Sequence, residues 1–305
     1  MTETITLRRA RPWLGTLVEI QVSGLPDADL LTAVDAAYRE VAVIHNLLSF
    51  HNVESDLSRL NREAAIRPQQ VHPHTLQVVN SALLFASASA GVFDPCVAAS
   101  LVADGCLPHP PNAPTPHPQA SWRDVRIDGE GRIRFDCPLW MDFGGIAKGY
   151  AVDCAVETLQ AAGVSRGCVN AGGDLRVFGT LPQTIHLRMP RAATFCLPAL
   201  EIVDGAVASS ASYFEASERA RMHRHGVGHA ATDPACAAVV AAPTCMVADT
   251  LTKIVLADPA TASILLGIHS AEAQRYDGEF WRTMPFIKIT ERKSISANCF
   301  GAAAA

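Results

Sequence analysis

The stretch "MDFGGIAKGYAVD", from Met141 to Asp153, combines an acid, two adjacent glycines and a lysine ahead of a helical pattern. Apolar residues recur at helical spacing after Lys148, so Gly144 and Gly145 are predicted to lie in a turn that leads into a helix. Backbone N–H groups and the positive helix end favour an anion there, and Lys148 would add a cation. The alternative is a tight turn with a solvated lysine. The spacing matches neither a Walker A motif nor a dinucleotide fingerprint.

Two further stretches carry side chains that suit a metal ion. In "ADTLTKIVL", Asp249, Thr252 and Lys253 fall on one side of a predicted helix, and the acid and hydroxyl oxygens suit magnesium. The alternative is an exposed Asp–Lys pair. In "MHRHGVGHAATDP" three histidines could bind zinc or copper, one could act as a general acid or base, or all could line a loop. These histidines are His223, His225 and His229.

Two short motifs are weak when each is taken alone. "NAGGDLRVFG", from Asn170 to Gly179, predicts a turn between two strands, because glycines and polar side chains are common in such turns. "GVFDPCV" follows a predicted helix end, and its proline stops any continuation of that helix. An ordinary helix-to-strand corner is the simplest interpretation of this second motif.

The elements that must position these residues mix helices and strands. "LVEIQV" alternates as a strand, and a long amphipathic helix is predicted from Asp27, its N-cap, to Leu48. A second helix fits 74–90 and would end at Gly91, and "DVRIDGEGRIRF" fits a hairpin. Further strands fit around "CVN", "LRVFG", "IHLRM" and "LEIVD", and another helix fits "MVADTLTKIVLA". Hairpins outnumber βαβ units, which favours an α+β fold with a mainly antiparallel sheet.

Composition limits the class of protein. The 305 residues, 49% of them hydrophobic, can bury a large core as one large domain or two modest ones. The net charge of −5 and the lack of a basic patch argue against nucleic acid as a partner. No apolar window is long enough for a membrane span and no apolar signal segment is visible, so a cytoplasmic protein is expected. The nine cysteines form no Cys-x-x-Cys pair, and the proline-rich segment 107–119 is predicted to be a loop or linker.

Taken in order, these stretches resemble the ApbE-type flavin transferases, also called FAD:protein FMN transferases. The likeness runs from about Leu14 to Leu256. It begins with "RPWLGTLVEI" and "LLSFHNVESDLSRLN" and continues through "GVFDPCV", "DFGGIAKGYAVD", "NAGGD", "VASSASY" and "ADTLTKIVL". The resemblance implies a T-fold-like α+β core, with 1–305 as one such domain. It also implies transfer of FMN from FAD to a threonine of an acceptor protein, with magnesium as helper.

The resemblance also assigns roles to residues. Lys148 and His229 match catalytic positions, and the metal would be held by the Gly145 carbonyl and the side chains of Asp249 and Thr252. The positions that match flavin-nucleotide contacts are Leu14, His51, Val92, Phe93, Asp94, Asp142, Lys148 and Ala231.

Several residues depart from the family pattern. Leu14 replaces a methionine, His51 replaces a tyrosine, and "HAATDP" has one residue too many between its histidine and aspartate. Lys253 stands where the family has a metal-binding threonine, and an ammonium has no lone pair to offer a metal. We therefore predict that Lys253 replaces the metal and that magnesium binds weakly or not at all. The alternatives are a lysine that swings outward beside a weakened magnesium site, or a flavin-nucleotide-binding protein whose metal-dependent chemistry is lost or altered.

Overall fold

A computed structural model of the protein describes residues 6–189, 192–211, 225–228, 237–277 and 279–285. Its strands alternate buried and exposed side chains where one face meets the core; Val18, Ile20 and Val22, for example, are buried along a single strand. The strands are β1 (Thr6–Trp13), β2 (Thr16–Ser23), β3 (Val125–Ile127), β4 (Ile133–Phe135), β5 (Arg166–Ala171), β6 (Asp174–Phe178), β7 (Gln183–Met189), β8 (Ala192–Ile202), β9 (Gly205–Ala211), β10 (Ala237–Ala242), β11 (Glu272–Tyr276) and β12 (Trp281–Thr283).

One large sheet organises the described part of the chain. Its strand order is β1-β2-β5-β6-β9-β10-β11-β12, and every neighbouring pair is antiparallel. Two hairpins, β3–β4 and β7–β8, stand as separate two-stranded sheets. The predicted α+β class with a mainly antiparallel sheet is therefore confirmed.

The helices follow the apolar patterns of the sequence. Leu30, Val34 and Val41 are among the buried residues that recur along the first and longest helix. No helix in the described ranges is long and apolar enough to cross a membrane. The helices are α1 (Asp27–Leu48), α2 (Asp56–Glu63), α3 (Pro73–Ala88), α4 (Ala98–Ala103), α5 (Ala147–Ala161), α6 (Cys245–Ala257) and α7 (Pro259–Ile268), with a 3-10 turn at Trp122–Asp124.

The main core lies between the sheet and the helices α1, α5 and α6. Helices α5 and α6 approach closely at Gly149, where a Cβ atom would lie 2.4 Å from the carbonyl oxygen of Cys245. Only glycine fits that contact, so Gly149 sets how near the two helices come. The opposite face of the sheet carries a smaller apolar cluster, which Val207 and Val239 share with Ile185 of β7.

Three sequence predictions need correction. Asp27 is not the N-cap of α1, because Pro26 holds that position without a side-chain cap; Asp27 lies in the first turn, where its charge suits the helix dipole. The second helix begins at Pro73 and ends at Ala88, slightly earlier than predicted. The segment after Gly91 leads into α4 rather than into a strand.

Two loops behave as the sequence predicts. Gly91 has the predicted left-handed backbone, with a φ of +88°, but it is the second such residue after α3, because Ala90 has a φ of +52° directly after the C-cap Ser89. The proline-rich segment 107–119 contains neither helix nor strand. It packs against Trp140, whose indole nitrogen donates a hydrogen bond of 3.0 Å to the Pro114 carbonyl oxygen.

Candidate active site

Four charged side chains from α5, β6 and α6 meet at one place, which we call the carboxylate–lysine cluster: Lys148, Asp174, Asp249 and Lys253. Lys148 is the second residue of α5, and its ammonium forms an ion pair with Asp174 at the start of β6. The same ammonium lies 3.7 Å from Oδ2 of Asp249 on α6. The formal charges of the cluster cancel, because two ammonium groups face two carboxylates.

Asp249 is the most buried member of the cluster, with no exposed surface. Its Oδ2 accepts a hydrogen bond of 3.2 Å from the backbone N–H of Gly149, and its Oδ1 accepts one of 2.9 Å from Lys253. A buried carboxylate requires such partners, because an unpaired charge away from water is costly. Asp249 therefore belongs to the scaffold as well as to the site.

Burial and neighbouring charges together determine the direction in which the pKa of each of these groups is shifted. Burial lowers the pKa of Lys148, but Asp174 and Asp249 outweigh it, so the pKa lies above its ordinary value. Burial raises the pKa of Asp249, yet the two lysines prevail and lower it. Burial and the charge of Asp249 raise the pKa of Asp174 despite Lys148. The lysine is thus held cationic, and Asp249 is the carboxylate that is held ionised.

Lys253 occupies the place where a metal ion would have to lie between Asp249 and Thr252. Its ammonium donates to Asp249 Oδ1 at 2.9 Å, to Ser210 Oγ at 2.6 Å and to Thr252 Oγ1 at 3.1 Å. Magnesium requires oxygen ligands at about 2.0–2.1 Å, so an ion there would have to displace the lysine. The residues present therefore do not fit magnesium in this arrangement, and the set Gly145, Asp249 and Thr252 stays a prediction.

A second pair joins Asp142, in the turn before α5, to His225 of the segment 225–228. Nδ1 of His225 lies 2.6 Å from Oδ2 of Asp142, which also accepts a hydrogen bond of 3.0 Å from the backbone of Gly144. Gly144 is required here, because a Cβ atom would lie 2.5 Å from the imidazole ring. Burial lowers the pKa of His225, but Asp142 outweighs it and raises the pKa above its ordinary value.

The motif "GVFDP" reaches the same turn through backbone contacts. Phe93 forms an isolated bridge with Val227, and Asp94 N–H donates a hydrogen bond of 2.9 Å to the Gly226 carbonyl oxygen. Asp94 itself caps the following turn, since its Oδ1 accepts a hydrogen bond of 2.8 Å from Cys96 N–H. The segments 92–94, 142–145 and 225–228 are therefore neighbours, as a shared site requires.

A cavity of about 590 Å³ lies on the sheet face opposite the main helices and meets the cluster at Ser210. Gly172 and Gly173 line it at the β5–β6 turn, which confirms that "NAGGD" joins two strands. Asn170 holds this turn by accepting a hydrogen bond of 2.9 Å from Gly173 N–H. The volume is in the range of small-molecule sites.

The remaining predicted residues fall into two groups. Leu14 has a φ of +57° in the β1–β2 turn, and its neighbour Trp13 packs edge-on against His45 at 5.5 Å. The pKa of His45 is lowered by burial and by His51, which places His51 in the same neighbourhood. The predicted catalytic His229 and the predicted flavin contact Ala231 lie outside the described residues.

Three residues of the site were missed by the sequence reasoning. Asp174 ends the motif "NAGGD" and Ser210 lies in "VASSASY", but neither pattern by itself indicates which of its polar residues belongs to the site. The sequence indicates His225 only as one of three nearby histidines. Its pairing with Asp142, 83 positions away, depends on tertiary structure and has no local pattern.

Comparison with known proteins agrees with this architecture. The sequence matches the profile of the ApbE family over residues 14–271. A Vibrio cholerae protein named FAD:protein FMN transferase is 28% identical over 219 residues, which are 66% of this chain and 65% of the relative. A Rhodobacter capsulatus protein of the same name is 29% identical over 199 residues, 58% of this chain and 36% of the relative.

A solved structure shows the same fold. The ApbE protein from Thermotoga maritima superimposes with a TM-score of 0.77 and 23% identity, covering 92% of this chain and 97% of the other. The antiparallel sheet, the helical layer and the clustered motifs thus define an α+β protein of the ApbE type. This chain belongs to the ApbE family. Its matched segments span less than two thirds of the length of the two curated relatives.

Proposed function

We propose that this protein binds FAD and transfers the FMN part of it to a threonine hydroxyl of an acceptor protein. Family membership and the shared name of the curated relatives support this activity. The site supports it through the carboxylate–lysine cluster, because the FAD pyrophosphate is an anion that needs fixed cations. Flavin nucleotide and acceptor protein are therefore the proposed partners.

One observation carries the proposal: Lys148 is fixed by its carboxylates but keeps 31% of its side-chain surface exposed. An ammonium that was fully covered by its ion pairs would have nothing to offer a ligand. Lys148 instead stands at the beginning of α5, where backbone N–H groups also favour a phosphate. The charge and the helix end act on the same anion.

The proposed chemistry is a displacement at phosphorus. The acceptor hydroxyl oxygen attacks the phosphorus of the FMN part, a new phosphoester bond forms, and the bond to the AMP oxygen breaks. AMP leaves, and the hydroxyl proton passes to a base. Lys148 neutralises charge that develops on the phosphoryl oxygens, and Lys253 adds a second positive charge where the family pattern has a metal ligand.

Two histidines are candidates for the proton transfer. The family resemblance points to His229, and that assignment stays a prediction. The structure offers His225, whose Nδ1 is held by Asp142, so any proton that His225 exchanges with substrate must use Nε2. Separate alanine variants of the two histidines distinguish them: the base is the one whose loss slows AMP release while FAD affinity is retained.

FAD binding is tested by fluorescence titration of the wild type and Lys148→Ala. We expect at least a tenfold loss of affinity, about 1.4 kcal/mol, because the cation fixed at the start of α5 is removed. Arg126→Ala is the matched control, since Arg126 forms an exposed ion pair with Asp136 on the β3–β4 hairpin. Equal affinities of wild type and Lys148→Ala would remove the phosphate role of Lys148.

Transfer is tested by incubating the protein with FAD and a flavinylatable acceptor, with and without chelator. The expected products are AMP, measured by chromatography, and an acceptor whose mass has increased by one FMN group. FAD binding without AMP release would leave the binding-protein alternative. Absence of both binding and release would reject the proposed function.

A further inference from the structure

A second group of ligating side chains lies in the helical layer and belongs to none of the motifs used above. Glu40 on α1, His74 on α3 and Cys154 on α5 each offer one ligand atom, and these atoms all lie within 4.8 Å of one another. They line a cavity of about 500 Å³ together with Tyr150 and Glu157. The group therefore offers one oxygen, one nitrogen and one sulfur ligand atom at the wall of a cavity.

Hydrogen bonds already orient the imidazole of this group. Nε2 of His74 lies 2.8 Å from Oε1 of Glu40, and Nδ1 lies 2.7 Å from the hydroxyl of Tyr150. Metal-binding histidines commonly use one ring nitrogen for the ion and the other for a hydrogen bond that fixes the ring. When no ion is present, Nε2 donates its proton to Glu40. Ligation through Nε2 therefore requires the other tautomer, in which the proton lies on Nδ1 and is donated to the Tyr150 hydroxyl oxygen.

The charge around the cavity favours a cation. Glu40 and Glu157 line it, and its described lining contains no lysine or arginine. Asp153 also lines it, but that carboxylate is matched by Arg176 at 3.0 Å. The two glutamates are therefore the charges that a bound cation would neutralise.

The thiol of Cys154 is buried and protonated when no ion is present. Burial raises its pKa to about 12, with Tyr150 acting in the opposite direction and Glu157 and Glu40 adding to the increase. A metal ion that binds the sulfur must therefore expel this proton, as is general for thiolate ligands. The proton goes to the buffer, and the sulfur–metal bond replaces the S–H bond.

We propose that Glu40, His74 and Cys154 bind one borderline-soft divalent cation of the zinc type, with water as the fourth ligand. A mixed oxygen, nitrogen and sulfur set suits zinc, whereas magnesium and calcium prefer oxygen alone. Zinc distances of about 2.0–2.3 Å require the three ligand atoms to move together slightly. The ion would join α1, α3 and α5 across the cavity.

The test uses the whole protein after removal of metal with a chelator, and Co²⁺ as a coloured probe for zinc. We expect one equivalent of Co²⁺ to bind with a thiolate-to-cobalt charge-transfer band, and Zn²⁺ to displace it. Cys154→Ser should abolish the band, and His74→Gln should weaken Zn²⁺ binding at least tenfold by calorimetry. Glu40→Gln should weaken it in the same direction.

Two controls separate this group from other candidates in the chain. Cys168→Ser removes a different thiol, on β5, and His225→Ala removes a histidine of the nucleotide site. Both variants should bind Co²⁺ with the full band. Loss of the band in either control would place the ion elsewhere and overturn the proposal.

Other outcomes also count against the site. A Co²⁺ spectrum without the thiolate band, or unchanged Zn²⁺ affinity in His74→Gln and Glu40→Gln, would show a hydrogen-bonded cluster only. Both of those side chains are partly exposed, at 23% and 30%, so these variants should fold even if Cys154→Ser does not.

Discussion

At the scale of single residues, Lys253 is the side chain on which the prediction about magnesium depends. Its ammonium donates hydrogen bonds to side-chain oxygens of Asp249, Ser210 and Thr252. A lysine carries one charge on a flexible stem, whereas magnesium carries two and imposes an octahedral shell. An ammonium in place of a magnesium ion would therefore supply half the charge and no directional ligation.

The first prediction concerns magnesium. We expect the unmutated protein with FAD present to show weak or no magnesium binding, and its FAD affinity to be unaffected by chelator. Lys253→Thr should gain measurable magnesium affinity, because it removes the competing ammonium and adds an oxygen ligand. Calorimetric titration with magnesium measures both proteins.

Lys253→Met is the control for this experiment, because it removes the charge without adding a ligand. A gain in the threonine variant alone indicates ligation, whereas an equal gain in both indicates relief of repulsion. Tight magnesium binding by the unmutated protein would contradict the prediction.

The second prediction concerns pH and the pair Asp142–His225. The pKa of His225 is raised above 6.5 by Asp142, so the pair stabilises the fold fully below 6.5. That contribution is lost as the pH rises through the raised folded-state pKa. We expect the difference in unfolding free energy between wild type and His225→Asn to shrink over that rise. Chemical denaturation at a series of pH values measures it.

Direct titration by NMR provides the control for this pair. Asp142→Asn should lower the pKa of His225, since the opposing charge is gone, while His45 should titrate below 6.5 in both proteins. A His225 pKa that is the same with and without Asp142 would show that the pair has no electrostatic effect on the imidazole.

At the scale of elements, Asp153 connects three of them. On α5, its carboxylate accepts hydrogen bonds of 2.9 and 2.8 Å from the backbone N–H groups of Cys245 and Met246, which begin α6. It also forms an ion pair of 3.0 Å with Arg176 of β6. Thr244, the N-cap residue of α6, makes no side-chain cap of its own, so Asp153 supplies the cap from another helix.

The third prediction follows from that arrangement. Asp153→Ala should lower the free energy of unfolding by about 3 kcal/mol, because it leaves the partly buried Arg176 guanidinium without its carboxylate and the α6 N-terminus uncapped. Asp136→Ala is the matched control, since its ion pair with Arg126 is exposed and should cost no more than about 1 kcal/mol. Urea unfolding measures both, and similar losses would contradict the prediction.

How far the sequence predicts an element depends on how local its pattern is. Helix α1 was found from its own apolar stripe, and the β3–β4 hairpin from alternation around a glycine turn. Strand β10 was missed, because "AAVVAA" is buried on both faces and has no alternation to detect. Strand β1 was missed for the opposite reason, since most of its residues are exposed.

In the site, too, the local motifs are predictable from the sequence, whereas the side-chain pairings between distant segments are not. The motifs around Lys148 and Asp249 were recognised from order and residue type, and the structure brings these two residues within 3.7 Å. The pairings of Lys148 with Asp174 and of Asp142 with His225 were not predicted. They depend on which strand lies beside which helix, and a single sequence does not encode that locally.

At the scale of the whole molecule, the proposed nucleotide site draws on segments from both halves of the chain. The turn at Asp142, the beginning of α5, the β5–β6 turn and helix α6 all contribute. A ligand held by all of them favours the folded state over any state in which they separate. Binding of FAD should therefore raise the free energy of global unfolding, and not only order one loop.

The fourth prediction expresses this coupling. FAD at one hundred times its dissociation constant should raise the free energy of unfolding by about 2.7 kcal/mol, because it binds the folded chain alone. Thermal unfolding at increasing FAD concentrations measures the effect. Riboflavin, which lacks phosphate, should give a much smaller increase at the same concentration. An equal increase with riboflavin would show that the pyrophosphate contacts contribute little.

The edge of the sheet at β1 has a consequence for how copies of this protein meet. Within the described residues β1 pairs only with β2, so its other side offers backbone groups to any passing strand. Arg8, Arg9 and Arg11 line this edge strand, and Pro12 has no N–H to donate. Arg8 and Arg11 are paired with Glu19 and Asp35, each at 2.6 Å. A second copy approaching edge to edge would therefore meet bulky charged side chains and, at Pro12, a missing donor, so the strand that ends the sheet also discourages self-association through it.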